Sequence, residues 1–136
     1  MIFIDSNIWC YYFDESSKEH KSVVKYMEKV LGKEEIVMNT LVIIEISHFL
    51  IKNLGSIKGK QKTEDMLDFS FIIKDFDYHL LLDSVKMLSE YNHTGIGGRD
   101  ATILVTMKNS GIEKLVTHDN SFKKIDFIEV IDPIKT

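Results

Sequence analysis

The amino-acid sequence predicts an α/β fold, with a central, mostly parallel sheet flanked by helices on both faces. Short apolar runs that stop at polar residues, such as Ile2-Phe3-Ile4 before Asp5, read as buried strands. Between them lie longer segments with apolar residues at helical spacing, such as Val23, Val24, Met27, Val30 and Leu31. Alternation of the two marks crossover units, whose parallel strands need cover on both faces. The chain has 136 residues, 44% of them apolar. That is enough to close one core without disulfides or a structural metal, so a single domain over residues 1–136 is expected.

Ile2, Phe3 and Ile4 form the first strand, and Asp5-Ser6-Asn7 is the polar start of a helix carrying Ile8, Trp9, Tyr12 and Phe13. Ser16 with Glu19 makes a capping-box pattern ahead of a helix over residues 23–31, which stops at Gly32. Ile36-Val37-Met38 is the next strand. Asn39 or Thr40 can cap a helix over residues 41–53, with Gly55 as its stop. Residues 56–74 read as a lysine-rich turn and then an amphipathic helix bearing Met66, Leu67, Phe69, Ile72 and Ile73. Another helix spans residues 77–91. The segment 93–98, rich in glycine, breaks all periodicity and reads as a mobile connector placing Asp100 on a helix over residues 99–109. Residues 114–117 and 127–131 are the last two strands, the second ended by Asp132-Pro133.

Composition narrows the function classes. Cys10 is the only cysteine, so it has no partner within the chain and reads as a small buried hydrophobe, in keeping with a cytoplasmic setting. The N-terminus lacks the basic start and apolar stretch of an export signal, and no window approaches about 20 uninterrupted apolar residues. Neither export nor membrane insertion is expected. The formal net charge of -4 argues against a protein that holds nucleic acid by a broad basic surface. A nuclease remains compatible with it, because a site that gathers carboxylates around a cation makes a chain acidic. Basic residues cluster at Lys52, Lys58, Lys60 and Lys62 and at Lys123 and Lys124, and Arg99 is the only arginine.

In an open parallel sheet, ligands gather at the carboxyl ends of the strands. Asp5 follows the first strand and Asp119 follows the strand through Leu115-Val116-Thr117, while Asp100 opens a helix behind the glycine segment. Glu45 lies in the apolar run Leu41-Val42-Ile43-Ile44-Glu45-Ile46, where an acid needs a partner or solvent. Each has an ordinary reading: a helix cap for Asp5, a turn for Asp119, a dipole complement for Asp100 and a solvent gap for Glu45. A common metal site accounts for all four together. Oxygen-only ligands, with no second cysteine and no HExxH, point to Mg²⁺ or Mn²⁺ rather than zinc, and such a cation suits hydrolysis of a phosphodiester.

Ile4-Asp5-Ser6-Asn7, Glu45, Arg99-Asp100-Ala101 and Thr117-His118-Asp119-Asn120-Ser121-Phe122, in this order on strand ends and helices, resemble the PIN domain family. Within that family they are most similar to VapC-type toxins, over essentially the whole chain. The resemblance implies a metal-dependent endoribonuclease with Asp5, Glu45, Asp100 and Asp119 as its catalytic acids. Asp5, Asp100 and Asp119 would be the metal ligands, Glu45 a ligand through water or a proton acceptor, and Asn7 and Thr117 the residues that orient the cluster. It also implies an RNA substrate, a homodimer and a possible antitoxin partner. Arg99 and the lysines Lys52, Lys58, Lys60 and Lys62 are candidates for guiding RNA phosphates, with a solvated face as the equal alternative for the lysines.

Rival readings are a PIN-type housekeeping nuclease, an inactive PIN scaffold, and a carboxylate-bridged di-iron bundle. The bundle would use Glu45-Ile46-Ser47-His48 and Glu90-Tyr91-Asn92-His93 with Glu28 and Glu64, but it leaves the strands and strand-end aspartates unused. Trp9, Tyr11, Tyr12 and Phe13 could stack on bases. Helical spacing instead assigns Trp9, Tyr12 and Phe13 to the core. The large apolar residues around 9–13 and 66–73 exceed what one small core buries, which also suggests a homodimer.

Overall fold

Among the described residues the strands are short and mostly apolar, and all five lie in one sheet. The computed structural model describes residues 1–134. Its strands are β1 (Ile2–Ile4), β2 (Ile36–Asn39), β3 (Ile72–Lys74), β4 (Lys114–Val116) and β5 (Glu129–Ile131), and its helices α1 (Ser6–Phe13), α2 (His20–Val30), α3 (Thr40–Leu54), α4 (Ser56–Leu67), α5 (Tyr78–Glu90) and α6 (Gly98–Asn109). The order across the sheet is β3-β2-β1-β4-β5, and every pairing is parallel. Ile2, Phe3 and Ile4 are all buried. Successive residues of a strand point to opposite faces, so both faces of the central strand are covered.

Chain direction across the sheet reverses beside β1: β2 and β3 run to one side, β4 and β5 to the other. This creates a crevice at the carboxyl ends of β1 and β4, the place where open α/β sheets bind ligands. Ile4 sits opposite Val116 in the register, so the residues that follow them, Asp5 and Thr117, emerge side by side. Asn39 caps α3 by accepting from the Val42 N–H at 2.9 Å and ties it to α6 by donating to Thr106 Oγ1 at 3.1 Å. α1 packs on α2 and α3, α3 on α4, and α5 on α6.

Three local expectations are corrected. Ile72 and Ile73 belong to a strand, paired with Val37 and Met38, and α4 starts at Ser56 with no lysine-rich turn before it. Ser16 and Glu19 form no capping box; the Ser16 N–H and hydroxyl donate to Asp14 Oδ1 instead. The apolar excess lies only partly where expected: Trp9 and Met66 are buried and Leu67 and Phe69 are exposed, but Tyr78, Leu81, Leu82 and Val85 of α5 are exposed as well. The five-stranded sheet also rules out the di-iron bundle, and His93 falls in a 3-10 turn, Asn92–Thr94, stacked on Tyr91. No helix of the described residues is long and apolar enough to cross a membrane.

Candidate active site

The acid cluster starts at β1. Asp5 is wholly buried, at the junction where β1 turns into α1, and its Oδ1 accepts from the Ser6 N–H at 2.7 Å. Its Oδ2 accepts from the Thr117 hydroxyl at 2.8 Å and, more weakly, from the Asn7 amide at 3.4 Å. Thr117 is a hub: the same hydroxyl accepts from Asn7 Nδ2 at 3.3 Å and from the Asp119 N–H at 3.1 Å. Asn7 completes the link by accepting from the His118 N–H at 3.3 Å. One strand end is thus fastened to the other through two uncharged side chains.

Asp119 uses Oδ1 locally, accepting from the Ser121 N–H at 2.9 Å and from the Ser121 hydroxyl. Asp100, in the first turn of α6, accepts from the Gly97 N–H at 3.1 Å through Oδ2. The ordinary readings of a helix cap for Asp5 and a turn for Asp119 therefore hold, and Asp100 lies in the first turn of α6 as a dipole complement would. Local bonds hold each of the three carboxylates in place.

Arg99 joins them. Its Nη2 donates to Asp5 Oδ1 and to the Ser6 hydroxyl at 2.8 Å, its Nε donates to Glu45 Oε2 at 2.7 Å, and its Nη1 lies 3.7 Å from Asp100 Oδ1. The guanidinium fork explains how one residue reaches three acids from three helices' ends and faces. Glu45 Oε1 is buried with no hydrogen-bond donor, an arrangement that is costly unless a cation or water meets it.

The electrostatics follow from this crowding. Burial, reinforced by the Asp119 and Asp5 carboxylates, pushes the Asp100 carboxyl above its ordinary value, although the Gly97 N–H works the other way. Burial opposes ionisation of Asp119 too, but the two bonds from Ser121, with Arg99 nearby, hold its carboxyl below the ordinary value. Arg99 itself is partly buried, which disfavours its charge, yet Asp5 and Glu45 keep it protonated more firmly than usual. Burial, then Glu45 and Asp5, push the Cys10 thiol up to about 12, so it is a neutral neighbour of the site and no nucleophile.

As placed, no three acidic, histidine or cysteine side chains among the described residues converge on one point as a metal cage. Arg99 provides the counter-charge. The donors are nevertheless oxygen only, as Mg²⁺ or Mn²⁺ requires, and Glu45 offers an oxygen without a donor. Asp5, Asp100 and Asp119, with Glu45 behind them, are the residues that could hold such a cation.

Other candidates divide. Lys52, Lys58, Lys60 and Lys62 are exposed on α3 and α4, whereas Arg99 is the cation that meets the acids. Trp9 stacks on Phe13 and packs against Tyr12 and Phe71, as expected for core, and forms one wall of an apolar groove of about 420 Å³ with Phe69 and Lys62. The residues missed by sequence reasoning are Ser6, Ser121 and the pair His118–Asp132, whose Nδ1–Oδ2 distance is 2.9 Å. Only the pairing of β4 with β5 brings that pair together, so no local pattern could have announced it.

The chain is similar to known proteins over nearly its whole length. The sequence model of the PIN domain matches residues 2–128. Ribonuclease VapC2 of Methanocaldococcus jannaschii is 30% identical over 142 residues, covering 96% of this chain and 93% of the relative. The crystal structure of Mycobacterium tuberculosis VapC20, described as a sarcin-ricin loop cleaving toxin, superposes with a TM-score of 0.79 at 18% identity, covering 96% of this chain and 98% of the other. A toxin–antitoxin complex from Klebsiella pneumoniae matches with a TM-score of 0.74 and 22% identity over 100% of both chains.

Proposed function

The chain belongs to the PIN domain family, with VapC-type ribonucleases among its relatives, and from that premise we propose that it is a metal-dependent endoribonuclease, the toxin of a toxin–antitoxin pair. The observation that carries the proposal is the meeting of Asp5, Glu45 and Asp100 on Arg99, with Asp119 fastened to Asp5 through Thr117. Capping would account for three isolated acids. It does not account for a buried Glu45 oxygen without a donor beside them.

Asp5, Asp100 and Asp119 would hold Mg²⁺ or Mn²⁺, which when bound supplies Lewis acidity and offsets the charge of acids and phosphate. Thr117 and Asn7 keep Asp5 oriented by bonding its Oδ2. Glu45 takes the proton of the attacking water, its buried Oε1 being the oxygen with no competing donor. Arg99 receives the scissile phosphate through its fork. In-line attack of water on phosphorus forms the new P–O bond as the bond to the 3′ oxygen breaks; the departing oxygen takes up a proton from solvent, and the products are a 5′-phosphate and a 3′-hydroxyl.

The lysines Lys52, Lys58, Lys60 and Lys62 would steer RNA toward the crevice. The antitoxin partner is carried over from the assembly named for the Klebsiella relative, and the names of the relatives favour a toxin over a housekeeping nuclease. A homodimer and a cytoplasmic setting complete the reading. The test is RNA cleavage by purified protein with Mg²⁺ or Mn²⁺ and with excess EDTA, followed by end-group analysis. Cleavage is expected only with the cation, Asp100→Asn should slow it at least about a hundredfold, and a single 2′-deoxy nucleotide at the cut should be tolerated. Full activity in EDTA, or cyclic phosphate ends, would overturn the mechanism.

A further inference from the structure

Asp5 has no free coordination position. A carboxylate offers about four lone-pair sites, and here Oδ1 accepts from the Ser6 N–H, from Arg99 and, at 3.4 Å, from the Ser6 hydroxyl, while Oδ2 accepts from Thr117 and, at 3.4 Å, from Asn7. The residue is 0% exposed. A cation can reach it only if one of these donors withdraws. The Ser6 N–H is backbone, part of the turn into α1, and Thr117 is buried at the carboxyl end of β4. The guanidinium is different: it is on a long flexible stem, and its side chain is 34% exposed.

We propose that Arg99 is a built-in stand-in for the divalent cation, holding the cation's place against Asp5 and Glu45 in the metal-free protein and letting go of Asp5 when the cation binds. The inference rests on the metal-dependent reading above and adds its control. Asp5, Glu45 and Asp100 all lie against Arg99, and their carboxylates repel one another unless positive charge lies among them. Arg99 supplies that charge from within the chain, so the site stays folded and closed without metal. A divalent ion offers twice the charge at a smaller radius, so it displaces the guanidinium once its concentration is sufficient. Displacement frees the fork for the RNA phosphate, which gives one residue two successive roles. Metal affinity is then lower than the acids alone would set, because each binding event must undo the Arg99 contacts.

Mn²⁺ binding by calorimetry and by the electron-spin signal of the free ion tests this on the purified protein, independently of RNA cleavage. Arg99→Met should bind Mn²⁺ about tenfold or more tightly than the parent, within the usual range for coupled equilibria. Arg99→Lys should fall between, because an ammonium cannot fork between Asp5 and Glu45. Without metal, Arg99→Met should melt at a lower temperature than the parent and gain more on Mn²⁺ addition; if it does not fold without metal, Arg99→Lys decides alone. Equal or weaker Mn²⁺ binding in the variants would overturn the inference while leaving a metal-dependent nuclease intact. Asp5→Asn should abolish binding in each background. Absence of Mn²⁺ binding in the parent and all Arg99 variants would instead remove both the inference and the metal-dependent reading.

Discussion

Asp100 and Asp119 sit in one crevice, yet the fold treats their charges oppositely. Burial and neighbouring carboxylates raise Asp100, while Ser121 outweighs burial and lowers Asp119. The fold therefore favours the protonated form of Asp100, so its contribution to stability is present at low pH and declines as pH rises through the ordinary carboxylate range to the raised value. Asp119 contributes above its ordinary value, and that contribution is lost as pH falls through the lowered one. Asp100→Asn should accordingly leave metal-free protein as stable as the parent or up to about 1 kcal/mol more stable at pH 7, in the manner of functional residues held at a cost to stability. Asp119→Ala should lose about 1 kcal/mol, as for a lost cap. Urea midpoints at about pH 4.5 and pH 7 check both; a clear loss for Asp100→Asn at pH 7 would contradict the charge assignment. The placement of Asp5 and Asp119 after strands and of Asp100 at a helix start was legible in the sequence, because apolar runs and a glycine segment mark where each element ends or begins. The Arg99 contacts were not, since they link it to Ser6 and Glu45 across 93 and 54 residues, and only the packed fold decides where a flexible side chain comes to rest.

Secondary elements were legible wherever one period dominated. β1, β2 and β4 announce themselves by apolar runs, and α3 by Asn39 at its start and Gly55 at its end, where a φ of 90° suits glycine. β3 was hidden because Ile72 and Ile73 follow Met66, Leu67 and Phe69 at spacings a helix would also use, and a strand of three residues is too short to show alternation. α4 holds a second feature that propensity misreads. Gly59 is a poor helix former, but a Cβ there would lie 2.4 Å from Ile51 Cα and 2.5 Å from Ile51 N. Its absence lets α4 pack directly on the backbone of α3, the helix that presents Glu45. Gly59→Ala, which on an exposed helix would add about 1 kcal/mol, should here cost about 2 kcal/mol as an overpacked contact. Chemical denaturation gives the sign directly, and a stabilised variant would show that the two backbones are not in contact.

At the scale of the molecule, the parallel sheet and its helical cover follow from the alternation of periods, whereas the order β3-β2-β1-β4-β5 depends on which way each crossover turns and leaves no trace in any one segment. Assembly is likewise a property of the folded surface. Tyr78, Leu81, Leu82 and Val85 are 73%, 43%, 51% and 57% exposed. Their spacing of three, four and seven residues puts them along one stripe of α5. The opposite side of the helix, with Leu80, Ser84 and Met87, is buried, so the stripe is not needed for the monomer's own core. Exposed apolar residues scattered singly mean little, but a contiguous helical stripe is the kind of surface that a two-fold partner covers with its own copy. A net charge of only -4 sets little repulsion against such pairing. Light scattering at micromolar concentration should therefore give twice the chain mass of 15.8 kDa. The double substitution Leu82→Lys with Val85→Glu should give a monomer, because each charge would have to be desolvated at the contact. Its circular dichroism should match the parent, since neither side chain belongs to the core. A parent that is already monomeric would remove the homodimer from the proposed function, and a variant that remains dimeric would move the contact away from α5.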